Sequence, residues 1–311
     1  MSLELEIALQ QFLLPAVCAI MGCTVLARTN QGDDCFEDEP VRGIGLQTLF
    51  GAAVCAMGIV FSDLWQRGII AQPMEWSSWK PSYQWERIAW MVPGSMLALA
   101  LLRFIVSTPV QFAGLAGTFT SSIAVGILYA SLNDKVVWED QQSKLLPWMA
   151  AGCAAAIMNV SSLNSMATSG GFRWVSLVML AQFGCLAAII LQSYASLGRC
   201  CVVGIGVAFG ASIVGLFFRS TTKLHYVWPL SIVVLPLGIM AVICLVLSKF
   251  FFESHTFPLW LTGSVLFLPT IVCAVDIVFG RLSNAWFRVF FAGSVCSLVL
   301  GAIFYITKPW Q

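Results

Sequence analysis

Charge is scarce in this sequence, and that scarcity excludes most soluble architectures. Only 10% of the 311 residues are Asp, Glu, Lys or Arg, against about a quarter in a soluble globular domain. Sixteen basic and fifteen acidic side chains leave a net charge of +1. With no basic stripe to neutralise phosphates, nucleic acid is not an expected partner. Catalytic groups are equally thin. The two histidines, His225 and His255, fall at expected helix ends with no carboxylate at helical spacing. There is no H-E-x-x-H for zinc, no G-x-S-x-G elbow and no glycine-rich loop ending in Gly-Lys-Ser/Thr. A heme held by both histidines would need them facing each other at one depth, which their places do not provide. No cofactor is expected, and the chain is not read as an enzyme. The eleven cysteines form no C-x-x-C pair. Most, including Cys18, Cys23, Cys55, Cys185 and Cys244, lie in apolar runs, where a thiol acts as a small packing residue.

What the sequence has in abundance is apolar surface. Hydrophobic residues make up 59% of it and the mean hydropathy is +0.87, the composition of a polytopic membrane protein. At about 1.5 Å per residue, some 20 apolar residues cross the hydrocarbon of a bilayer. Phe257–Phe279 and Ala285–Ile306 are such runs, 23 and 22 residues long, joined by only Gly-Arg-Leu-Ser-Asn at 280–284. So short a link makes them antiparallel neighbours. Thr108–Ala130 and Pro147–Leu163 form a similar pair across the polar link Ser131–Leu146. Three further runs precede each pair: Ile7–Ala27, Ile44–Leu64 and Ile88–Val106 in the first half, Arg173–Tyr194, Arg199–Phe218 and Tyr226–Phe250 in the second. The expected fold is therefore all-α, ten transmembrane helices as two inverted five-helix repeats. Residues 1–163 form the first repeat, 164–172 the joint and 173–311 the second repeat.

The connections carry the polar residues. Glu4 and Glu6, not Lys or Arg, precede the first run, so it reads as a retained helix and not as a secretory signal. The link Arg28–Gly43 is acidic without regular ligand spacing, and Trp65–Arg87 mixes Trp65, Trp76, Trp79 and Trp85 with basic residues, as headgroup anchors do. Lys and Arg divide eight against eight between the two sets of connections, so orientation is undetermined.

Polar groups inside the runs are the functional candidates, because they are costly in lipid. Gln111, Thr118, Ser121 and Ser122 make the fourth run the most polar, either as the buried centre of the bundle or as the wall of a cavity. Asn159, Gln182 and Ser212 are the candidates elsewhere, and Arg103 and Asp276 are charged ones near helix ends that could equally reach the interface. Should Asp276 face the bundle, it is the candidate proton carrier. Pro93-Gly94 and Pro236-x-Gly238 occupy corresponding runs of the two halves, and paired interruptions of this kind point to a transport site. Gly206-x-x-x-Gly210 in the seventh run favours close helix contact.

The closing hairpin, L-P-T-I-V-C-A-V-D-I-V-F-G-R-L-S-N-A-W-F-R, resembles the last hairpin of the EamA-like branch of the drug/metabolite transporter superfamily. Pro269, Gly280, Arg281, Leu282, Ser283 and Gly293 match its proline-led helix, short turn and glycine-containing last helix, while the acidic residue usual in the turn is missing. The first-half hairpin, led by Pro109 and linked through Asn133-Asp134-Lys135, matches less well. The resemblance implies a secondary transporter in a bacterial inner membrane, moving a small neutral or zwitterionic solute by alternating access. Expected partners are the bilayer, the solute, a coupling proton and, as an option, a second copy of the chain. A non-transporting scaffold or complex subunit is the main alternative, and a membrane-embedded enzyme the third.

Overall fold

The computed structural model describes residues 9–29, 41–66, 87–102, 142–170, 172–190, 195–217, 228–251, 258–280 and 285–307. It also describes the helical positions 115, 118–119, 122–123 and 126. Among these residues every element is a helix. A π-helical turn at Leu9–Leu13 leads into α1 (Leu14–Thr29), followed by α2 (Val41–Gln66), α3 (Ile88–Leu102), α4 (Gln142–Gly170) and α5 (Phe172–Ile190). Then come α6 (Ala195–Phe217), α7 (Trp228–Phe251), α8 (Leu259–Leu266), α9 (Leu268–Gly280) and α10 (Ala285–Thr307). Leu9–Arg28, Leu46–Trp65 and Leu197–Gly215 are each long and apolar enough to cross a membrane, and α8 with α9 makes a fourth if the bent pair counts as one span.

The outer faces fit lipid. Leu13, Val17 and Met21 are exposed at every fourth position of the first helix, and Leu46, Phe50, Met57 and Phe61 line one face of α2. Exposed apolar stripes of this extent mark a surface that meets hydrocarbon or another protein.

Inside, small residues let backbones touch. Cys18 packs on Gly58, and Gly22 on Gly51 and Cys55, so the α1–α2 pair is antiparallel. Gly206 meets the carbonyl of Phe12 and Gly210 that of Ala16, so α6 runs parallel to α1 at backbone contact, as the G-x-x-x-G spacing requires. Phe183 of α5 fills the notch left by Gly204.

At the centre stands α7. Every residue from Ile232 to Leu247 is buried, and the helix packs against α3, α4, α5 and α6. The sequence had offered the fourth run for that place. Of its described positions, Leu115, Thr118, Phe119, Ser122 and Gly126 are exposed, and Ile123 is half-buried against the core. A helix buried all round needs apolar side chains on every face, which α7 has and the Ser/Thr-rich run lacks.

Other boundaries move for equally local reasons. The expected joint at 164–172 is helical through Gly170, with α5 starting at Phe172. The polar Asn, Ser and Thr there extend α4 because no proline stops it. Neither α3 nor α7 breaks: each continues through its proline, Pro93 or Pro236. Proline removes one intrahelical bond, yet α7, buried on all sides, stays helical through Pro236. In α3, Ser95 Oγ donates to Met91 O at 2.6 Å.

Close packing at Gly206 gives a direct test. A Cβ there would stand 2.6 Å from the Phe12 carbonyl oxygen, whereas one at Gly94 meets nothing within 4 Å. Gly206→Ala is expected to cost about 1–3 kcal/mol and to lower the melting temperature of the purified protein, with Gly94→Ala unchanged or slightly higher. Equal melting temperatures for the two variants would contradict the α1–α6 contact.

Candidate binding site at a broken helix

The apolar run Phe257–Phe279 reads as one span, yet it folds as α8 and α9, bent by 70° to each other. Pro258 caps α8 through its carbonyl, which accepts from Leu261 N at 3.0 Å and Thr262 N at 3.2 Å. The break is at Phe267, whose φ of −99° and ψ of 13° depart from the helix. Pro269 explains it. Proline lacks an N–H, so the carbonyl of Val265, four residues earlier, loses its helical donor. Proline also disfavours helix at the residue before it and suits the first turn of the helix it enters. Phe267 spans the joint, donating to Gly263 O and accepting from Ile271 N, both at 2.9 Å.

Two amides answer the interruption. Gln182 Nε2 of α5 donates to Val265 O at 3.1 Å, and Asn159 Nδ2 of α4 donates to Leu266 O at 2.8 Å. Asn159 Oδ1 in turn accepts from Thr270 Oγ1 at 2.8 Å, and Ser162 Oγ approaches Thr270 Oγ1 at 3.4 Å. Asn159 and Gln182 are each 1% exposed, so water cannot stand in for them. Four helices thus converge on one polar node set among Leu163, Met179, Phe183, Leu186 and Leu268, all buried. Gln182 Oε1 at this node, and Thr262 Oγ1 in the first turn of α8, have no hydrogen-bond partner among the described residues.

Of the sequence candidates among the described residues, Asn159 and Gln182 alone meet at this node. Ser212 is buried but donates to Ala208 O of its own helix at 2.7 Å. Thr118 and Ser122 are exposed and bond to carbonyls of their own helix, Leu115 O at 3.0 Å and Thr118 O at 2.8 Å. Asp276 is buried, 7% exposed, on α9 toward the end opposite the break. A proton carried there would act from a distance. Gln111, Ser121 and Arg103 lie outside the described residues.

Sequence reasoning missed Thr270, although Pro269 was the signal, since a polar side chain within a turn of a mid-span proline flanks the freed carbonyls; it also missed Thr262, two turns earlier, for which no such signal exists. It also missed Asp63. That carboxylate accepts from Trp90 Nε1 at 3.2 Å and lines a crevice with Ile59, Ala89, Cys200, Val203 and Met240. The crevice has room only for a water-sized guest. Nearby, Ser62 Oγ donates to Gln10 O at 2.7 Å, which ties the π-helical turn to the end of α2.

Comparison with known proteins finds no matching family, no matching curated protein and no matching solved structure.

A double-mutant cycle tests the node. Gln182→Leu removes the side-chain donor of Val265 O, leaving only the backbone N–H at the end of α8, and Pro269→Ala restores a helical N–H that can serve it. Thermal unfolding should show Gln182→Leu costing less in the Pro269→Ala background, by about 0.6 and up to 1.7 kcal/mol. Additive losses would mean that the amide does not compensate the break.

Proposed function

We propose that this chain is a secondary transporter of a small neutral or zwitterionic solute, with the α8–α9 break at its binding site. The observation that carries the reading is a helix interrupted among buried polar side chains from two other helices, Asn159 and Gln182. Each of those residues lies near the middle of its own helix, the depth at which transporters hold their solutes with discontinuous helices. A broken helix also presents a carbonyl end and an N–H end to the same place, complementary to the two charges of a zwitterion.

The resemblance to EamA-like proteins, the ten-span count and the inverted repeat belong to this proposal. The parallel course of α1 and α6 supports the count. Two spans crossing in the same sense need an odd number of crossings between them, and the expected topology puts five there. A half-bundle that rocks about the break would give each side of the membrane access in turn.

A non-transporting scaffold is the second reading, and it has its own support. The backbones of α1, α2 and α6 are in contact through glycine, and the Asp63 crevice admits no metabolite.

Metabolite profiling of cells expressing the wild type, Asn159→Leu or Gln182→Leu separates the two. Transport predicts that the wild type shifts the accumulation of at least one neutral or zwitterionic metabolite and that both variants lose the shift at matched membrane abundance. Wild-type cells indistinguishable from empty-vector cells would favour the scaffold.

A further inference from the structure

We infer that a groove on the outer face of α1 and α2 holds an acyl chain of one zwitterionic phospholipid, with Arg28 and Gln47 bound to its phosphate. The inference needs the chain to sit in a bilayer but not to transport anything, so it goes beyond the reading above. The exposed stripe of α2 carries large side chains at Leu46, Phe50, Met57 and Phe61, but the position between Phe50 and Met57 on that face is Ala53. The volume missing there leaves a groove of about 510 Å³, lined by Val25 of α1 and by Leu46, Gln47, Leu49, Phe50 and Ala53 of α2. Such a volume falls in the range of small-molecule sites. A hydrocarbon chain laid in it touches two helices, whereas one on a flat helix wall touches a single row of side chains.

The groove is apolar along its length and polar at one end. Leu26 packs on Gly51, and Gly22 on Cys55, so in this antiparallel pair Arg28 stands within a turn of Gln47. Arg28 follows Val25 by three residues, on the same face of α1, and both Arg28 and Gln47 are exposed. One membrane-type run ends at Arg28 and the next begins at Leu46, which puts this end of the groove at headgroup depth. A guanidinium and an amide supply N–H donors for phosphate oxygens, and the apolar walls beyond them suit a hydrocarbon chain. Charge chooses among headgroups. Residues 30–40, which join the two helices, carry five carboxylates and no Lys or Arg. A head with net negative charge is therefore repelled, whereas one whose phosphate is balanced by an ammonium group is not.

The test is native mass spectrometry of the full-length protein, purified in detergent and offered phosphatidylethanolamine, phosphatidylglycerol or diacylglycerol, which has the chains without the phosphate. The wild type should retain one phosphatidylethanolamine per chain, with phosphatidylglycerol and diacylglycerol held more weakly. Arg28→Gln should weaken phosphatidylethanolamine binding about tenfold, the worth of one charge-assisted hydrogen bond. Ala53→Phe completes the stripe of large side chains and should displace the lipid while leaving Arg28 in place. Melting temperatures in detergent alone report whether each variant folds, and Arg28→Gln, which changes an exposed side chain, decides the matter should Ala53→Phe not fold. Retention of phosphatidylglycerol or diacylglycerol equal to that of phosphatidylethanolamine overturns the proposal. So does the absence of any retained lipid on the wild type, or wild-type retention by Arg28→Gln. No transport enters these readouts, so their failure leaves the metabolite-profile test standing, and the reverse also holds.

Discussion

A peptide carbonyl without a donor is costly in hydrocarbon, where no water can replace the missing bond. That constraint shapes this bundle more than any single contact. The chain carries prolines at 93, 236 and 269, each inside a membrane-type run. All three remove a donor, yet only Pro269 breaks its helix. The difference lies in what surrounds each one. Around the freed carbonyls of α8 two buried amides are positioned to donate, so the backbone can leave the helix without an orphaned acceptor. Around Pro236 the neighbours are apolar for sixteen residues, Ile232 to Leu247, and nothing there could satisfy a second lost bond.

The bundle is held together in two different ways. The α1–α2 pair and α6 are held at backbone contact by glycine, alanine and cysteine, which leaves little room for sliding. The α8–α9 joint is held instead by side-chain amides and hydroxyls whose bonds can be exchanged for bonds to a ligand. On the transport reading proposed above, the small-residue interface would be the rigid part of the bundle and the α8–α9 joint the part that moves. Burial also makes the joint specific: at 1% exposure, Asn159 and Gln182 have little water to bond with instead.

Much of the architecture was legible from the amino-acid order. The starts and ends of α2, α6, α7 and α10 follow the apolar runs closely, because twenty apolar residues in series have few stable places other than a membrane-type helix. Gly206 and Gly210 announced a close helix contact, and α1 supplies it. The polar candidates separated less well. Asn159 and Gln182 proved to converge, but Ser212 bonds within its own helix and Thr118 and Ser122 are exposed. Hydroxyls can satisfy themselves on the preceding turn, whereas a side-chain amide is too long and has too many donors to do so, and it must find a partner on another element.

Sequence alone determined the helical class, the avoidance of charge and the positions of most segments, since these depend on local hydrophobicity and spacing. Tertiary structure decided which helix occupies the centre, which proline becomes a break and which polar side chains share one node. Those outcomes turn on partners more than eighty residues away along the chain, as Gln182 is from Val265. A carbonyl freed by proline is visible in the sequence; the donor that makes its freedom tolerable is fixed only when distant helices pack.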